Sequence, residues 1–281
     1  MTIILYNPLS KNRKSKRSTK KLVDYYRKHN LPFRVKSLLK IHDLKAYLTD
    51  KPNDIRIILL GGDGTINTFI NNSINLDLLH QITLKPTGSG NDFLRSLRKQ
   101  RARHQYIMKL RYNNNTRYFI NGSGMGIDGE IAHRVNQSKH KNRFNYFKNT
   151  LKTLITYKPK YLEATIDNKQ YRFKKTYLIN VNNGAYVGGG MKLTPKARLE
   201  ENTLDVLIVH RIPKFALIFI FLSVYLGFHT IFKRYVFTTK ARHVKATMHS
   251  SQIAQCDGET FKDTREIEVT LTNKQTTFKP F

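Results

Sequence analysis

The sequence predicts an α/β domain followed by a mostly β, β-sandwich-like domain, with the active site in the cleft between them. Strand-like and helical segments alternate over the first third of the chain, and Gly-rich turns follow two of the strands. After about Arg117 short strand-like runs predominate, with helices inserted. This change of rhythm predicts domains 1–117 and 118–281, and we expect the last residues to pack back on the first domain.

The first domain is predicted from apolar runs that end in turns. A basic helix is expected over about residues 16–29, where Leu22, Val23 and Tyr26 are spaced for one face. A second helix is expected over residues 66–72, and a third after Asp92. Continuous apolar runs are typical of buried parallel strands. The expected strands are Ile3–Leu5, Phe33–Leu38, Ile55–Leu60 and Ile82–Leu84.

The second domain is predicted from runs rich in β-branched and aromatic residues, which fit a pleated, half-buried surface. Helical stretches are expected near residues 129–136 and 144–157. The expected strands are Tyr118–Asn121, Tyr161–Ile166, Tyr171–Val181, Leu204–Val209, His243–Met248 and Ile267–Leu271.

One apolar segment, Phe215–Phe232, is long enough to raise the question of a membrane span, and basic residues flank it. It lies between two strands of one predicted domain, so a spanning helix would separate those strands across a bilayer. We therefore expect a buried or groove-lining helix. An interfacial helix and a spanning helix are the alternatives.

The composition points to an anionic partner and a reducing compartment. Among 281 residues, 50 Lys and Arg against 19 Asp and Glu give a net charge of +31. The single cysteine, Cys256, excludes a disulfide scaffold and a cysteine-rich zinc site. The apolar run near Met1 is too short for a signal peptide, which predicts a cytoplasmic protein. No RNA-recognition, helix-turn-helix or zinc-finger motif organises the charge, so we expect no nucleic-acid partner.

Two Gly-rich loops predict a nucleotide-phosphate site. Gly61–Thr65 directly follows the apolar run that ends at Leu60, and Pro86–Asp92 follows the next strand. Glycines let backbone N–H groups approach phosphate oxygens, and helix N-termini favour anions. Because neighbouring parallel strands end at one sheet edge, the two loops can line one crevice. The first loop lacks the lysine of a Walker A motif, and its Asp63 suits a metal ion between carboxylate and phosphate.

Further motifs lie in the second half of the chain. We interpret Asn121–Asp128 as a Gly-rich turn of unclear role. Asn183–Met191 leads into Pro195–Glu201, which precedes a strand. Cys256–Glu259 is predicted to form a turn, and its Asp-Gly pair is common in hairpins, so Asp257 by itself is a weak catalytic candidate.

Taken in order, these motifs resemble the bacterial diacylglycerol kinase-like lipid kinases, soluble enzymes that share a catalytic domain with sphingosine and ceramide kinases. The resemblance covers nearly the whole chain. The residues that carry it are Asn7–Ser10, Gly61–Thr65 with Asn67, Pro86–Asp92, Asn121–Asp128, Asn183–Met191, Pro195–Asp205 and Asp257–Glu259.

The resemblance implies an ATP-dependent kinase that phosphorylates the hydroxyl of diacylglycerol or a related neutral lipid. It implies Asp257 as general base, Glu259 beside it, and Asp63 in a metal-linked network with Asp257. Phosphoryl transfer depends mainly on positioning and charge neutralisation, which acids, Mg²⁺ and amide cradles provide. The implied nucleotide-binding residues are Asn7, Ser10, Gly61, Gly62, Asp63, Gly64, Thr65, Asn67, Gly88 and Ser89.

The resemblance also implies a second Mg²⁺ site. Glu201 would supply its carboxylate there, and Arg198 and Thr203 their carbonyls. Here Glu200-Glu201-Asn202 stands where the family has Asp-Asp-Gly, and Lys11 stands where the family usually has glycine. The strand before Tyr118 offers no acid to support the metal.

Two alternatives stay open at this point. An NAD-kinase-like enzyme shares the Gly-Gly-Asp-Gly start, although the apolar segment favours a lipid acceptor. A catalytically impaired nucleotide- or membrane-binding protein is conceivable because the metal loop is altered. The expected partner is a neutral lipid at an anionic membrane surface, reached by peripheral association with the inner face of the membrane. A homodimer is possible.

Overall fold

The computed structural model describes residues 1–10, 14–49, 51, 54–74, 82–87, 91–138 and 143–281. The chain forms two compact units. Unit one contains residues 1–105 and 275–281, and unit two contains residues 106–274. The break follows Gln105, which is the first residue of a strand that pairs with Asn115–Phe119. The sequence-based boundary at 117/118 lies within Asn115–Phe119.

Unit one is an α/β domain with a parallel sheet, as the alternating pattern predicts. Adjacent strands β2–β1–β3–β4 run parallel. In chain order the elements are β1 Thr2–Tyr6, α1 Lys14–Lys28, β2 Phe33–Ser37, α2 Leu44–Thr49, β3 Arg56–Gly61, α3 Asp63–Ser73, β4 Ile82–Pro86 and α4 Asp92–Gln100.

The core of unit one explains the apolar runs. Four consecutive side chains of β1 and five of β3 are buried, because a parallel strand in an α/β sheet is covered on both faces. Leu22 and Tyr26, one turn apart on α1, pack against Ile4, Ile58 and Leu60. The amphipathic spacing of α1 is therefore confirmed.

Unit two is a mostly β domain, and its described residues include three α-helices, so the predicted fold class is confirmed. Its strands are β5 Gln105–Tyr112, β6 Asn115–Phe119, β7 Gly122–Gly126, β8 Lys160–Ile166, β9 Lys169–Asn182, β10 Leu204–His210, β11 Val236–Ala241, β12 His243–Cys256 and β13 Glu259–Thr276. Its helices are α5 Ile127–Gln137, α6 Arg143–Thr156 and α7 Lys214–Leu226.

The interpretation of residues 121–128 as a turn is wrong. Residues Gly122–Gly126 form β7, a fully buried strand that pairs with β9 on one side and β12 on the other. A Cβ atom on Gly124 would lie 2.6 Å from the backbone oxygen of Ile179, so glycine allows the neighbouring strand to approach. Sequence reasoning missed this strand because glycine ordinarily weakens strands.

The sheet order in unit two is β11-β10-β9-β7-β12-β13-β5-β6. The remaining strand, β8, also pairs with both β9 and β12. It pairs with the first half of each of these long strands, whereas β7 pairs with their second halves. The two strands therefore fill the same gap end to end, and the register of β12 shifts between Thr247 and Ala254, where the sheet divides.

The last residues of the chain belong to unit one. Strand β14, Lys279–Pro280, pairs parallel with β4 and extends the sheet to the order β14-β4-β3-β1-β2. Phe278, which is 1% exposed, meets Phe93 edge to face at 5.9 Å between ring centroids. The backbone N–H of Phe278 donates to Oε1 of Gln105 at 2.9 Å, which satisfies a buried polar group.

The segment Phe215–Phe232 folds as α7 followed by a short 3-10 turn, Phe228–Ile231. Leu217, Ile220, Phe221 and Val224 of α7 are buried in a cluster with residues of α5, α6 and the sheet. Over the part of the chain that the structure describes, no helix is long and apolar enough to cross a membrane. The buried face agrees with the expected packing, but the opposite face of α7 is exposed.

Candidate active site

Three of the residues expected to hold a nucleotide meet at the carboxyl edge of the unit-one sheet. Thr65, on the first turn of α3, accepts a hydrogen bond from Nδ2 of Asn7 at 3.4 Å. The same hydroxyl shares a hydrogen bond of 3.1 Å with Ser10. Asn7 and Ser10 follow β1, and Thr65 follows β3, so adjacent parallel strands bring them together as the sheet-edge argument predicts.

The glycines of this loop allow a close turn between β3 and α3. A Cβ atom on Gly61 would lie 2.3 Å from Cβ of Thr65, so a side chain cannot fit there. Gly62 precedes the helix in extended conformation. Gly64 is exposed, and among the described residues nothing lies within 4 Å of its Cβ position. The amino end of a helix favours an anion such as a phosphate group.

Asp63 joins the two Gly-rich loops through its carboxylate. Oδ2 accepts a hydrogen bond from the backbone N–H of Asp92 at 2.8 Å, and Oδ1 accepts one from Phe93 at 3.3 Å. These amides lie in the first turn of α4, where N–H groups have no partner within the helix. A carboxylate also favours the positive end of the helix dipole. In this structure Asp63 therefore acts as a cap for α4.

Three other residues predicted to contact the nucleotide are Asn67, Gly88 and Ser89. Asn67 is 1% exposed within α3, and its Oδ1 accepts a hydrogen bond from Nδ2 of Asn71 at 3.2 Å. Gly88 and Ser89 lie outside the described residues. Beside them, the N–H of Thr87 donates to the carbonyl of Gly61 at 3.0 Å, so the second loop starts next to the first.

Asp257 lies in the hairpin turn between β12 and β13, as predicted. Asp257 and Gly258 have φ angles of 47° and 88°, which the type I′ turn requires and which explains the Asp-Gly pair. The carboxylate accepts three backbone hydrogen bonds, from Ile120 at 3.2 Å, Asn121 at 3.1 Å and Gly122 at 3.0 Å. These donors orient the half-buried carboxylate at the start of β7.

Glu259 begins β13 on the other side of the turn and forms an ion pair with Arg117 of β6. The pair is partly exposed, so it contributes little to stability by itself. The pair holds the Arg117 guanidinium against Glu259, which lies two residues after Asp257 in the sequence.

Asp128, which the sequence analysis placed in a turn of unclear role, supports the Asp257 turn. Nε2 of Gln255 donates to Oδ2 of Asp128 at 2.7 Å, and Oε1 of Gln255 accepts from the N–H of Gly258 at 3.1 Å. Asn180 also donates to Asp128. Burial raises the pKa of Asp128 to about 6, although the hydrogen bonds from Gln255 and Asn180 oppose the rise.

Sequence reasoning missed a cluster of buried asparagines on β9. Asn180 and Asn182 are fully buried and alternate with apolar residues, so both point to the same face of the strand. Within the described residues, Oδ1 of Asn180 and both polar atoms of Asn182 have no hydrogen-bond partner. Unpaired buried polar atoms of this kind call for a water or a polar ligand. The sequence signal was polar residues at core positions of a strand.

In the loop predicted to bind Mg²⁺, the structure shows a carboxylate paired with a lysine. The carboxylate of Glu201 forms an ion pair with Lys240 of β11 and accepts a hydrogen bond from Thr203 at 3.4 Å. The carbonyl of Arg198 accepts from the N–H of Glu201 at 3.1 Å. Among the described residues no three acidic, His or Cys side chains group as metal ligands. In this structure an ammonium group neutralises the Glu201 carboxylate, and the second Mg²⁺ site stays a prediction.

Asp205, at the start of β10, belongs to the same charged group. Burial raises the pKa of Asp205 to about 6. The ammonium of Lys240 opposes this rise, and the carboxylate of Glu201 adds to it. Lys240 therefore interacts with the carboxylates of both Glu201 and Asp205 at this end of the sheet.

Family comparisons agree with both units. Residues 1–120 match the model of the diacylglycerol kinase catalytic domain, and residues 123–270 match the YegS C-terminal NAD kinase beta sandwich-like domain. The chain therefore belongs to the diacylglycerol kinase-like family of lipid kinases, and the resemblance drawn from the motifs is confirmed.

Individual relatives are moderately similar. A protein named "Diacylglycerol kinase" from Bacillus subtilis (strain 168) is 29% identical over 217 residues, which are 72% of this chain and 70% of that protein. "Putative lipid kinase YtlR" from the same strain is 24% identical over 183 residues, and the match spans 56% of this chain and 59% of the relative.

A solved structure shows the same fold. It is titled as a "putative diacylglycerol kinase" from Bacillus anthracis str. Sterne, and it matches with a TM-score of 0.73 at 19% identity. The match covers 99% of this chain and 96% of that chain.

Proposed function

We propose that this chain transfers the γ-phosphate of ATP to the hydroxyl of diacylglycerol or a related neutral lipid. The observation that carries the proposal is the meeting of Asn7, Ser10 and Thr65 beside the amino end of α3, in a chain of the lipid kinase family. Hydroxyl and amide groups beside a helix N-terminus bind phosphate oxygens.

In the proposed reaction the acceptor oxygen forms a bond to the γ-phosphorus, the bond from that phosphorus to the bridging oxygen breaks, and ADP leaves. Asp257 accepts the proton of the acceptor hydroxyl. Its carboxylate is half-buried and held by three amides, so little reorganisation is needed before reaction. Mg²⁺ bound with ATP would neutralise charge on the triphosphate, and the Gly61–Thr65 loop would position it.

The test is a phosphorylation assay with Mg²⁺ and labelled ATP in mixed micelles. Diacylglycerol, ceramide, sphingosine and phosphatidylglycerol are compared as acceptors, with NAD as a soluble acceptor. We expect label in diacylglycerol or a related neutral lipid. Label in NAD alone would favour an NAD-kinase-like enzyme, for which the description of the second family model gives a specific reason. No label in any acceptor would favour a binding protein without turnover.

The role of Asp257 is tested with Asp257→Asn and a matched control, Asp167→Asn. Asp167 is also a turn residue with positive φ, and its Oδ1 accepts backbone hydrogen bonds from Arg242 at 2.8 Å and His243 at 3.0 Å. Both variants remove a carboxylate that accepts hydrogen bonds from backbone N–H groups, but only Asp257→Asn removes the proposed general base. We expect kcat to fall about 10³-fold or more for Asp257→Asn and less than about twofold for the control. Equal losses of activity in both variants would refute the assignment.

The proposed setting is the inner face of an anionic membrane, to which the chain would bind peripherally. The net charge of +31 supports this, because each basic residue near an anionic leaflet contributes about 1 kcal/mol of attraction. Fractionation of cells at low and high salt checks it. We expect protein in the membrane fraction at low salt and its release at high salt.

A further inference from the structure

Helix α7 has an apolar face that no described residue covers. Its buried side is formed by Leu217, Ile220, Phe221 and Val224. On the opposite side, Phe215, Phe219, Leu222 and Leu226 follow the spacing i, i+4, i+7 and i+11, so they form one stripe along the helix. All four are between 47% and 72% exposed.

The stripe continues beyond the end of the helix. Gly227 ends α7 in the left-handed conformation, with φ of 82°, and turns the chain into the 3-10 segment. Phe228 and Ile231 of that segment are 60% and 67% exposed. We call Phe215, Phe219, Leu222, Leu226, Phe228 and Ile231 together the apolar face.

This arrangement is unusual for a helix on a water-exposed surface. Such a helix normally carries polar residues on its outer side, and a helix that is apolar all round is normally buried. Scattered apolar side chains on a surface need no explanation, but a contiguous row of large ones marks an interaction site. The apolar face therefore needs a partner that removes it from water.

The charges around the apolar face point to the chemistry of that partner. Lys214 precedes Phe215, and Lys233 and Arg234 follow the 3-10 segment; all three are exposed. No Asp or Glu occurs between Asp205 and Asp257, whereas seven Lys and Arg do. A cationic rim around an apolar centre complements a bilayer, which offers acyl chains below a layer of anionic headgroups.

We propose that the apolar face inserts into the surface of an anionic bilayer, with Lys214, Lys233 and Arg234 at the headgroups. Helix α7 would lie in the plane of the interface, since its 13 residues are too few to cross a membrane. This inference rests on the proposed function and deepens it. A kinase whose acceptor lies in a bilayer must reach that bilayer, and the apolar face supplies the contact.

A second copy of the chain is the competing occupant. A two-fold dimer through the apolar face would bring its own cationic rim against itself, because an isologous interface pairs the same patch on both subunits. Like charges would then face each other, and the segment between Asp205 and Asp257 has no acid to offset them. The charge pattern therefore favours a bilayer.

The experiment measures binding to sedimented vesicles without ATP, so that the readout is independent of turnover. Vesicles of phosphatidylcholine with phosphatidylglycerol are compared with vesicles of phosphatidylcholine alone. The test variant is Phe219→Ser with Leu222→Ser. The matched control is Leu31→Ser with Leu39→Ser, which removes two exposed apolar side chains from unit one.

We expect the test variant to lose at least about tenfold of its partition into anionic vesicles, while the control changes less than about twofold. Lys233→Gln with Arg234→Gln should also lose about tenfold on anionic vesicles and stay unchanged on neutral ones. Equal binding of the test variant and the parent protein would overturn the proposal.

Sedimentation velocity without lipid gives the remaining outcome. A dimer of the parent protein that the Phe219→Ser, Leu222→Ser variant converts to monomer, together with weak vesicle binding by both, would assign the apolar face to a second copy. If vesicle binding depends on the apolar face but no acceptor is phosphorylated, the membrane-binding role of the apolar face is supported and the proposed function is refuted.

Discussion

At the scale of single residues, the two aspartates singled out from the motifs are both held by backbone amides. Asp63 receives two N–H groups from the start of α4, and Asp257 receives three from residues 120–122. Each carboxylate thereby ties together segments that are far apart in sequence. The same fixed orientation of each carboxylate serves its hydrogen bonds to the backbone and its proposed chemical role. For this reason the control for Asp257 must be another turn aspartate that accepts backbone hydrogen bonds.

Asp128 provides a prediction for the dependence of stability on pH. Burial raises its pKa from 3.8 to about 6, so the folded state holds more protons than the unfolded state between about pH 4 and pH 6. The free energy of unfolding should therefore fall as pH rises through that window. Asp128→Asn keeps one oxygen to accept from Gln255 and Asn180 and removes the charge.

We expect Asp128→Asn to abolish this contribution and to raise the free energy of unfolding at pH 7 by about 1–2 kcal/mol. The full pKa shift would correspond to about 3 kcal/mol, and we expect less because the residue keeps some contact with solvent. Urea denaturation of the parent protein and Asp128→Asn at pH 4, 5, 6 and 7 measures the free energy of unfolding. Parallel curves for parent and variant over this range would contradict the assignment.

At the scale of elements, glycine decides how closely two segments pack. The strand β7 and the start of α5 carry glycines where neighbouring backbone leaves no room. A Cβ atom on Gly129 of α5 would lie 1.9 Å from the carbonyl oxygen of Ile253 on β12. Because a backbone oxygen cannot swing away as a flexible side chain can, this contact limits the distance between α5 and the sheet.

We therefore predict that Gly129→Ala lowers the free energy of unfolding by about 2–3 kcal/mol. Gly64→Ala is the matched control, because Gly64 also lies in the first turn of a helix but has nothing within 4 Å of its Cβ position. Alanine there should be neutral or should stabilise by up to about 1 kcal/mol. Urea midpoints of the two variants are the measurement, and similar values for both would refute the packing argument.

Most elements could be predicted from the sequence, and the failures have physical reasons. The strand Arg56–Gly61 was recognisable from a continuous apolar run, and the helix Lys14–Lys28 from apolar residues spaced for one face. Strand β7 was not, because its five residues are four small ones and Met125, and their burial comes from two neighbouring strands. Strand β11 was also missed, and β5 was expected only as a strand before Tyr118, without bounds.

At the scale of the whole molecule, the chain returns to its first unit after completing the second. In unit one Phe278 packs against Phe93 of α4, although the two residues are far apart in the sequence. Unit one is therefore incomplete without the last residues of the chain. Its stability should depend on a side chain near the carboxyl terminus.

We predict that Phe278→Ala lowers the free energy of unfolding of unit one by about 3–4 kcal/mol. Phe281→Ala is the control: Phe281 is exposed and contacts Lys85 through a cation–π interaction, which contributes only about 0.5–1 kcal/mol. Hydrogen exchange of the amides in β1 and β3 reports the stability of this unit directly. Unchanged protection of these amides in Phe278→Ala would show that the terminal segment does not support the sheet.

The sequence by itself determined the class of fold and the Gly-rich loops, because these follow from local patterns of apolar spacing and glycine, and the order of its motifs determined the family. The roles of the candidate site residues follow from the family resemblance and stay predictions. Only the tertiary structure decided what each charged group meets. Glu201 pairs with Lys240, Asp63 caps α4, and α7 buries one face and exposes the other. Such pairings join residues far apart in the chain, so they depend on strand register and packing, which local sequence patterns do not encode.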